Sequence, residues 1–388
     1  MEELIEYMNF QLEQVKGRKK RYIYSQLPWA SKMFGLIGAR GVGKTTVFLQ
    51  EVKELNEKET ALYVTCDHLY FTNHTLFELA SDFFKNGGQW LFIDEVHKYP
   101  NWSRELKLIN DTFPNFHTHF TGSSILSIMD GDTNLSRRAV LYEMKGLSFR
   151  EFLSIEKGIE CPVYSLEEIL EHNYKIPGVT RPLPLFKEYL KRGYYPYSNE
   201  SDFKLRLEQD VNATLEVDIP QYANYSAATA RKLRKLMSAI SESAPFKPNF
   251  TQLASLIEAS RTSLYDYLEY MGRAGMIANL PAGTGFKSMR KTEKIYLENT
   301  ALMNALCSKT PDAGTIRETF FFNQVRYKHK VSASQHADFC VGDLTFEVGG
   351  KSKTQQQIKN LKQAFIVKDN IEQGYKNIVP LWAFGLMY

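Results

Sequence analysis

The sequence predicts an α/β protein whose first half is a parallel sheet covered by helices on both faces. Apolar strands alternate there with helical patterns, and the first strand runs straight into a glycine-rich loop that opens a helix. The second half reads differently, with proline-broken helical patterns followed by short strands near the C-terminus, so more than one core is expected. At 388 residues, two to four domains follow from length alone.

Taken in order, residues 3–15 read as an amphipathic helix, with Leu4, Met8 and Leu12 at four-residue spacing. Lys16-Gly-Arg-Lys-Lys-Arg21 then places five basic residues in six. Two readings of that run stand side by side, a solvated helix end or a contact with nucleic-acid phosphates. Strands are expected at 33–37, 61–65, 90–93, 117–121 and 139–143, with helices at 44–55, 76–84 and 102–111 between them. Residues 148–240 are helical in pattern, broken at Pro177, Pro182, Pro184 and Pro196. Residues 248–300 hold a helix-turn-helix candidate, and a helix beginning near Glu318 leads to strands at 337–341, 344–348 and 364–367. Gly342-Asp343 marks a hairpin turn between the first two of these. The expected segments are 1–30, 31–147, 148–240, 241–300 and 301–388.

Composition excludes several classes. No apolar run approaches the roughly 20 residues of a membrane helix. The N-terminus is acidic and mixed rather than a basic segment followed by an apolar one, which argues against a secretion signal. Cys66, Cys161, Cys307 and Cys340 are scattered without pairing or ligand spacing, as expected for a reduced compartment. The expected location is cytoplasmic, and a net charge of +4 is too mild to name a partner.

Gly38-Ala39-Arg40-Gly41-Val42-Gly43-Lys44-Thr45 fits the phosphate-loop pattern G-x-x-x-x-G-K-[ST] in full. Glycines let successive backbone N–H groups turn inward at phosphate oxygens, and the helix that follows aims its positive end at the same anion. Lys44 is expected at the β and γ phosphates and Thr45 on Mg²⁺, with Thr46 completing the loop set; ATP and magnesium are the expected cofactors, and ATP or ADP the ligand. The apolar strand ending Asp94-Glu95 brings two acids to the same sheet edge. Asp94 is expected to hold Mg²⁺ and Glu95 to orient the attacking water. The fourth strand ends Thr121-Gly122-Ser123-Ser124, where Ser123 is read either as a γ-phosphate sensor or as part of a plain turn. Arg137 and Arg138 follow, as candidate cations for developing charge in their own or a neighbouring subunit's site, or as surface charge.

These motifs, with Leu147-Ser-Phe-Arg-Glu-Phe-Leu153, Gly193-Tyr-Tyr-Pro196 and Phe346-Glu-Val-Gly-Gly350, resemble the prokaryotic AAA-type ATPases that carry a C-terminal domain of uncharacterised function. The resemblance runs over nearly the whole chain. It implies an AAA-like P-loop NTPase core, a helical lid, a winged helix and a restriction-endonuclease-like C-terminal α/β domain. Members commonly work as rings, which makes a homo-oligomer one of the states the resemblance admits, though no residue marks a subunit interface. In that family the arginine after the sensor strand usually follows a glycine; Arg137 stands in that place here, so which arginine acts stays open.

In the helix-turn-helix segment, Arg261, Thr262 and Ser263 begin the second helix, where such proteins touch DNA, and Lys287, Arg290 and Lys291 would form a basic wing. Asp266, Glu269 and Tyr265, Tyr267 and Tyr270 on the same helix weigh toward a protein contact. Near the C-terminus, Glu318, Asp338 and Glu347 with Lys351 resemble the PD-(D/E)XK nuclease pattern, a second candidate metal site. Gly349 stands where that pattern has lysine, and two readings of the lysines beyond it stand side by side: Lys351 or Lys353 reaches back across the Gly349-Gly350 flexure, or both are solvated charges. The expected function is an ATPase coupling nucleotide state to DNA binding or processing. The alternative is a nucleotide-dependent protein-interaction switch with an inactive nuclease-like domain.

Overall fold

The computed structural model describes the chain apart from residues 16, 56–59, 123–134, 136–137, 284–290, 354–357, 359–360 and 362. It divides into two compact units, Met1–Lys145 and Gly146–Tyr388.

In the first unit, α1 (Glu2–Gln14) precedes β1 (Met33–Ile37), α2 (Lys44–Leu55), β2 (Ala61–Thr65) and α3 (Leu76–Lys85). Then come β3 (Trp90–Asp94), α4 (Trp102–Thr112), β4 (His117–Gly122) and β5 (Val140–Glu143). The strands form one sheet in the order β2-β3-β4-β1-β5, every neighbouring pair parallel. The C-terminal ends of β1, β3 and β4 therefore open on one edge. Strand β1 is buried along its length and needs Gly35, because a Cβ there would lie 2.6 Å from the Phe120 ring and 2.7 Å from Leu141. Helix α1 buries Leu4, Met8 and Leu12, and the Met8 sulfur accepts the Tyr63 backbone N–H at 3.3 Å, covering edge strand β2. Opposite, β5 leaves Val140 exposed. A Thr75–Glu78 capping box starts α3, satisfying donors its first turn would otherwise waste.

The second unit opens with α5 (Phe149–Lys157), set by a Ser148–Glu151 capping box. It continues through α6 (Leu166–Leu170), α7 (Leu183–Arg192), α8 (Phe203–Ala213), a π-turn at Thr214–Asp218, α9 (Ile219–Ala223) and α10 (Ala227–Ser243). Helices α11 (Phe250–Leu256) and α12 (Arg261–Arg273) are followed by the antiparallel pair β6 (Ile277–Pro281) and β7 (Thr292–Leu297). After α13 (Thr300–Leu306) and α14 (Ala313–Arg326) come β8 (Val331–Ala333), β9 (Phe339–Val341), β10 (Leu344–Gly349), β11 (Ala364–Lys368) and β12 (Ile378–Pro380). This sheet is mixed, in the order β12-β11-β10-β9-β8, antiparallel from β8 to β10 and parallel from β10 to β12. Val341 pairs with Leu344 across the two-residue Gly342-Asp343 turn, with Gly342 at φ 58°. One aromatic core draws Phe152 and Tyr189 from the early helices, Tyr296 from β7 and Phe320, Phe346 and Phe384 from the C-terminal segment. Among the described residues, no helix is long and apolar enough to cross a membrane.

Candidate functional site

The loop between β1 and α2 takes the backbone shape its glycines permit: φ is 77° at Gly41 and 101° at Gly43. At Gly38 (φ 159°) a Cβ would fall 2.3 Å from the Met144 carbonyl oxygen, so this position admits no side chain. Lys44, at the start of α2, is buried, and its ammonium donates to the Gly38 and Ala39 carbonyls, each at 2.9 Å. The cation is thereby held across the loop formed by Gly38, Ala39, Arg40, Gly41, Val42 and Gly43. Thr45 donates its hydroxyl to Asp94 Oδ2 at 2.6 Å, tying the first turn of α2 to the end of β3.

Asp94 is 4% exposed and receives three hydroxyls. Oδ2 accepts from Thr45 and from the Tyr63 phenol at 2.8 Å, and Oδ1 from Thr121. Strands β2 and β4 flank β3, so Tyr63 and Thr121 grip the carboxylate from both sides. Thr121 Oγ1 also accepts the Glu95 N–H at 3.2 Å. Glu95 lies in the left-handed region at φ 53°, ψ 44°, a conformation costing a non-glycine residue about 1 kcal/mol or more, and the Thr121 bond helps to hold it there.

Arg21 reassigns part of the basic run. It is 5% exposed, and its guanidinium donates to the Val42 carbonyl at 2.6 Å and the Lys145 carbonyl at 2.8 Å. The last residue of that run is a brace under the phosphate loop. Lys20 pairs with Glu54, while the carbonyls of Arg18 and Lys19 accept from Gln50.

Arg138 makes a two-pronged ion pair with Asp111, at 2.9 and 3.0 Å. It precedes β5, and in an all-parallel sheet that is the edge opposite the phosphate loop. The expectation that it serves the site of its own subunit is therefore not met. Ser123 and Arg137 lie outside the described residues, as do Lys287 and Arg290 of the expected wing.

Do the residues at the loop fit magnesium and a nucleotide? A lysine ammonium, a hydroxyl and a buried carboxylate meet beside backbone donors opened by positive-φ glycines, which is the donor set such an anion and its metal require. They fit.

Residues 30–153 match the model of an AAA domain. This part of the chain, which carries the phosphate-loop pattern at Gly38–Thr45, is similar to AAA domains. Residues 183–313 match the model of a domain of unknown function. Two uncharacterised proteins of Methanocaldococcus jannaschii are similar to the chain. One is 24% identical over 326 residues, covering 78% of this chain and 68% of its own length. The other is 24% identical over 413 residues, covering 92% and 89%. Among solved structures, AMPPCP-bound DnaA from Aquifex aeolicus shows 16% identity over 66% of this chain and 85% of its own, with a TM-score of 0.27. The Orc1 protein of Aeropyrum pernix in complex with DNA shows 11% over 77% and 91%, with a TM-score of 0.32. Scores this low say nothing about the arrangement of the whole AAA-containing chain.

The second expected site comes out differently. Glu318 Oε2 accepts from Lys294 at 3.0 Å and from the Tyr296 hydroxyl at 2.8 Å. Asp338 accepts the Val348 N–H at 2.9 Å; burial, then the charges of Glu318 and Glu347, raise its carboxyl to about 6. Glu347, 3% exposed, pairs with Lys353 and not with Lys351. The reason is a turn: Lys353 N–H donates to the Gly350 carbonyl at 3.0 Å, folding the chain back. The Lys353 stem then fills the space above Gly349, where an added Cβ would meet its Cγ and Cδ at 2.7 Å. The three acids lie in one neighbourhood, but among the described residues no three His, Cys, Asp or Glu side chains are placed to hold a metal ion.

Proposed function

We propose that the AAA domain binds ATP with magnesium and hydrolyses it, and that the Gly146–Tyr388 unit passes the nucleotide state to a macromolecular partner. The observation that supports this most is the meeting of Thr45 and Asp94 beside a lysine held across its own glycine loop. In this reading the backbone N–H groups of 38–46 and the Lys44 ammonium bind the triphosphate. Thr45 and Asp94 hold Mg²⁺, which when bound neutralises phosphate charge and orients the γ-phosphate. Glu95 orients water for attack, and Thr121 fixes both acids, through the Asp94 carboxylate and the Glu95 amide. Arg137, and Arg138 acting on a neighbouring copy, are the candidate cations for developing charge.

Calorimetry with the full chain tests the site: wild type takes up ATP in the presence of magnesium, and Lys44→Ala loses at least tenfold in affinity. Glu95→Gln keeps ATP bound and hydrolyses it at least a hundredfold more slowly. Undiminished binding by Lys44→Ala would remove the site assignment.

For the partner, our first reading is DNA, on the helix pair α11–α12 followed by the β6–β7 hairpin. A second reading, protein docking, is favoured by the outward face of α12, where Tyr265, Asp266 and Glu269 are exposed and Glu269 already pairs with Arg273 at 2.7 Å. We assign no cleavage to Glu318, Asp338 and Glu347. The lysines beside two of them and the raised carboxyl of the third support a structural charge cluster.

A further inference from the structure

The sheet edge that carries Asp94 also carries a side chain that the phosphate-loop pattern does not name. Tyr63 lies on β2, 2% exposed, and its phenol donates to Asp94 Oδ2, the same oxygen that accepts from Thr45. In the register of β2 and β3, Thr65 stands beside Asp94, so Tyr63 is two residues back on the same face. A short hydroxyl side chain there would fall short; the ring supplies the reach.

We propose that Tyr63 is a positioning residue that sets magnesium affinity by holding the Asp94 carboxylate from the neighbouring strand. This rests on the reading of Asp94 as the carboxylate that holds the metal. Three hydroxyls hold the Asp94 carboxylate, and they differ in what else they serve. In this reading Thr45 serves two partners, its oxygen lone pair facing the ion and its O–H on Asp94 Oδ2, so its place is set by the metal as well as by the carboxylate. Tyr63 and Thr121 remain, one on each carboxylate oxygen. Of these, Thr121 is shared with the Glu95 amide. Among the described residues the Tyr63 phenol has no hydrogen-bond partner other than Asp94, so it holds Oδ2 whether or not an ion draws on Thr45. Its own backbone is fixed from the other side, through its N–H on the Met8 sulfur. Outer partners of metal-holding side chains typically set metal affinity by 10- to 100-fold.

The test uses the full chain and fluorescent mant-ATP, titrated first in excess EDTA and then with magnesium, in wild type, Tyr63→Phe and Asp94→Asn. Phenylalanine keeps the ring in its pocket and removes only the donor. The expected result for Tyr63→Phe is a rise of about tenfold in the magnesium concentration for half-maximal response. Its affinity for mant-ATP in EDTA should stay within about twofold of wild type, since no phosphate contact is lost; a general packing defect would weaken both titrations alike. A magnesium response equal to wild type, with Asp94→Asn shifted, overturns the role of Tyr63 alone. Parallel loss in EDTA and in magnesium overturns it as well. If Asp94→Asn responds to magnesium as wild type does, the reading of Asp94 fails and the inference falls with it.

Discussion

His119 sits on β4 with its ring 4.1 Å from that of Phe34, fully buried, its Nε2 at 3.1 Å from the Trp29 carbonyl. Burial pushes its imidazole down to about 3. The unfolded chain takes up a proton as pH falls through the ordinary histidine range near 6.5, while the folded chain does so only near 3. His119 therefore contributes stability that is whole above about 6.5 and drains away as pH falls toward 3. Urea midpoints should fall between pH 6.5 and 4 in wild type, and His119→Gln should flatten that slope; equal slopes would refute the assignment. At this scale the sequence disclosed the residues that belong to a local pattern. Gly38 to Thr45 and Asp94 are adjacent or at strand ends, and their chemistry is written in the motif itself. Tyr63 and Arg21 escaped, because each acts through a partner distant in the chain, 31 and 21 residues away. Spacing alone does not choose between Lys351 and Lys353 beside Glu347, because the turn that brings Lys353 back is not visible as spacing.

Between residue and domain lies the short segment that Arg21 ends. It links two carbonyls, one in the phosphate loop and one just after β5, that no strand pairing joins. Charged hydrogen bonds to buried carbonyls contribute roughly 1.5–3 kcal/mol each, and losing the donor strands both acceptors. Arg21→Ala should lower the stability of the first unit by roughly 3 kcal/mol and weaken ATP binding. Arg21→Lys should recover part of the stability, since an ammonium can serve one carbonyl. Thermal melts beside ATP titrations read both; an alanine variant that binds ATP as wild type does would reduce Arg21 to ordinary packing. The strands of the first unit are legible to within a residue at either end: β1 to β3 are five-residue, mostly apolar runs closed by loop residues, while β4, polar apart from Phe120, shows itself through its threonines and Phe120. Strands β8 and β12 span three residues each, too short for alternation to register, and were missed.

For the molecule as a whole, the proposed partner of the Gly146–Tyr388 unit is tested by salt. Mobility shift of duplex DNA across a salt series separates the two readings: affinity that falls steeply with log salt supports DNA, as counterion release demands. No shift at low salt, with or without ATP, would leave the protein-docking reading. The parallel sheet and its phosphate loop are readable from alternation and one motif, whereas the joining of the later segments is not, since it depends on aromatics contributed from across 236 residues of chain, Phe149 to Phe384. That pooling has a practical consequence. The segment matched to a domain of unknown function, 183–313, begins and ends inside the shared aromatic core. Excised at those limits it would lose Phe149 and Phe152 at one end and Phe320, Phe346 and Phe384 at the other. Truncation is thus a blunt tool for assigning tasks within this half; single substitutions on its surface, which leave the interior whole, are the instrument that its architecture permits.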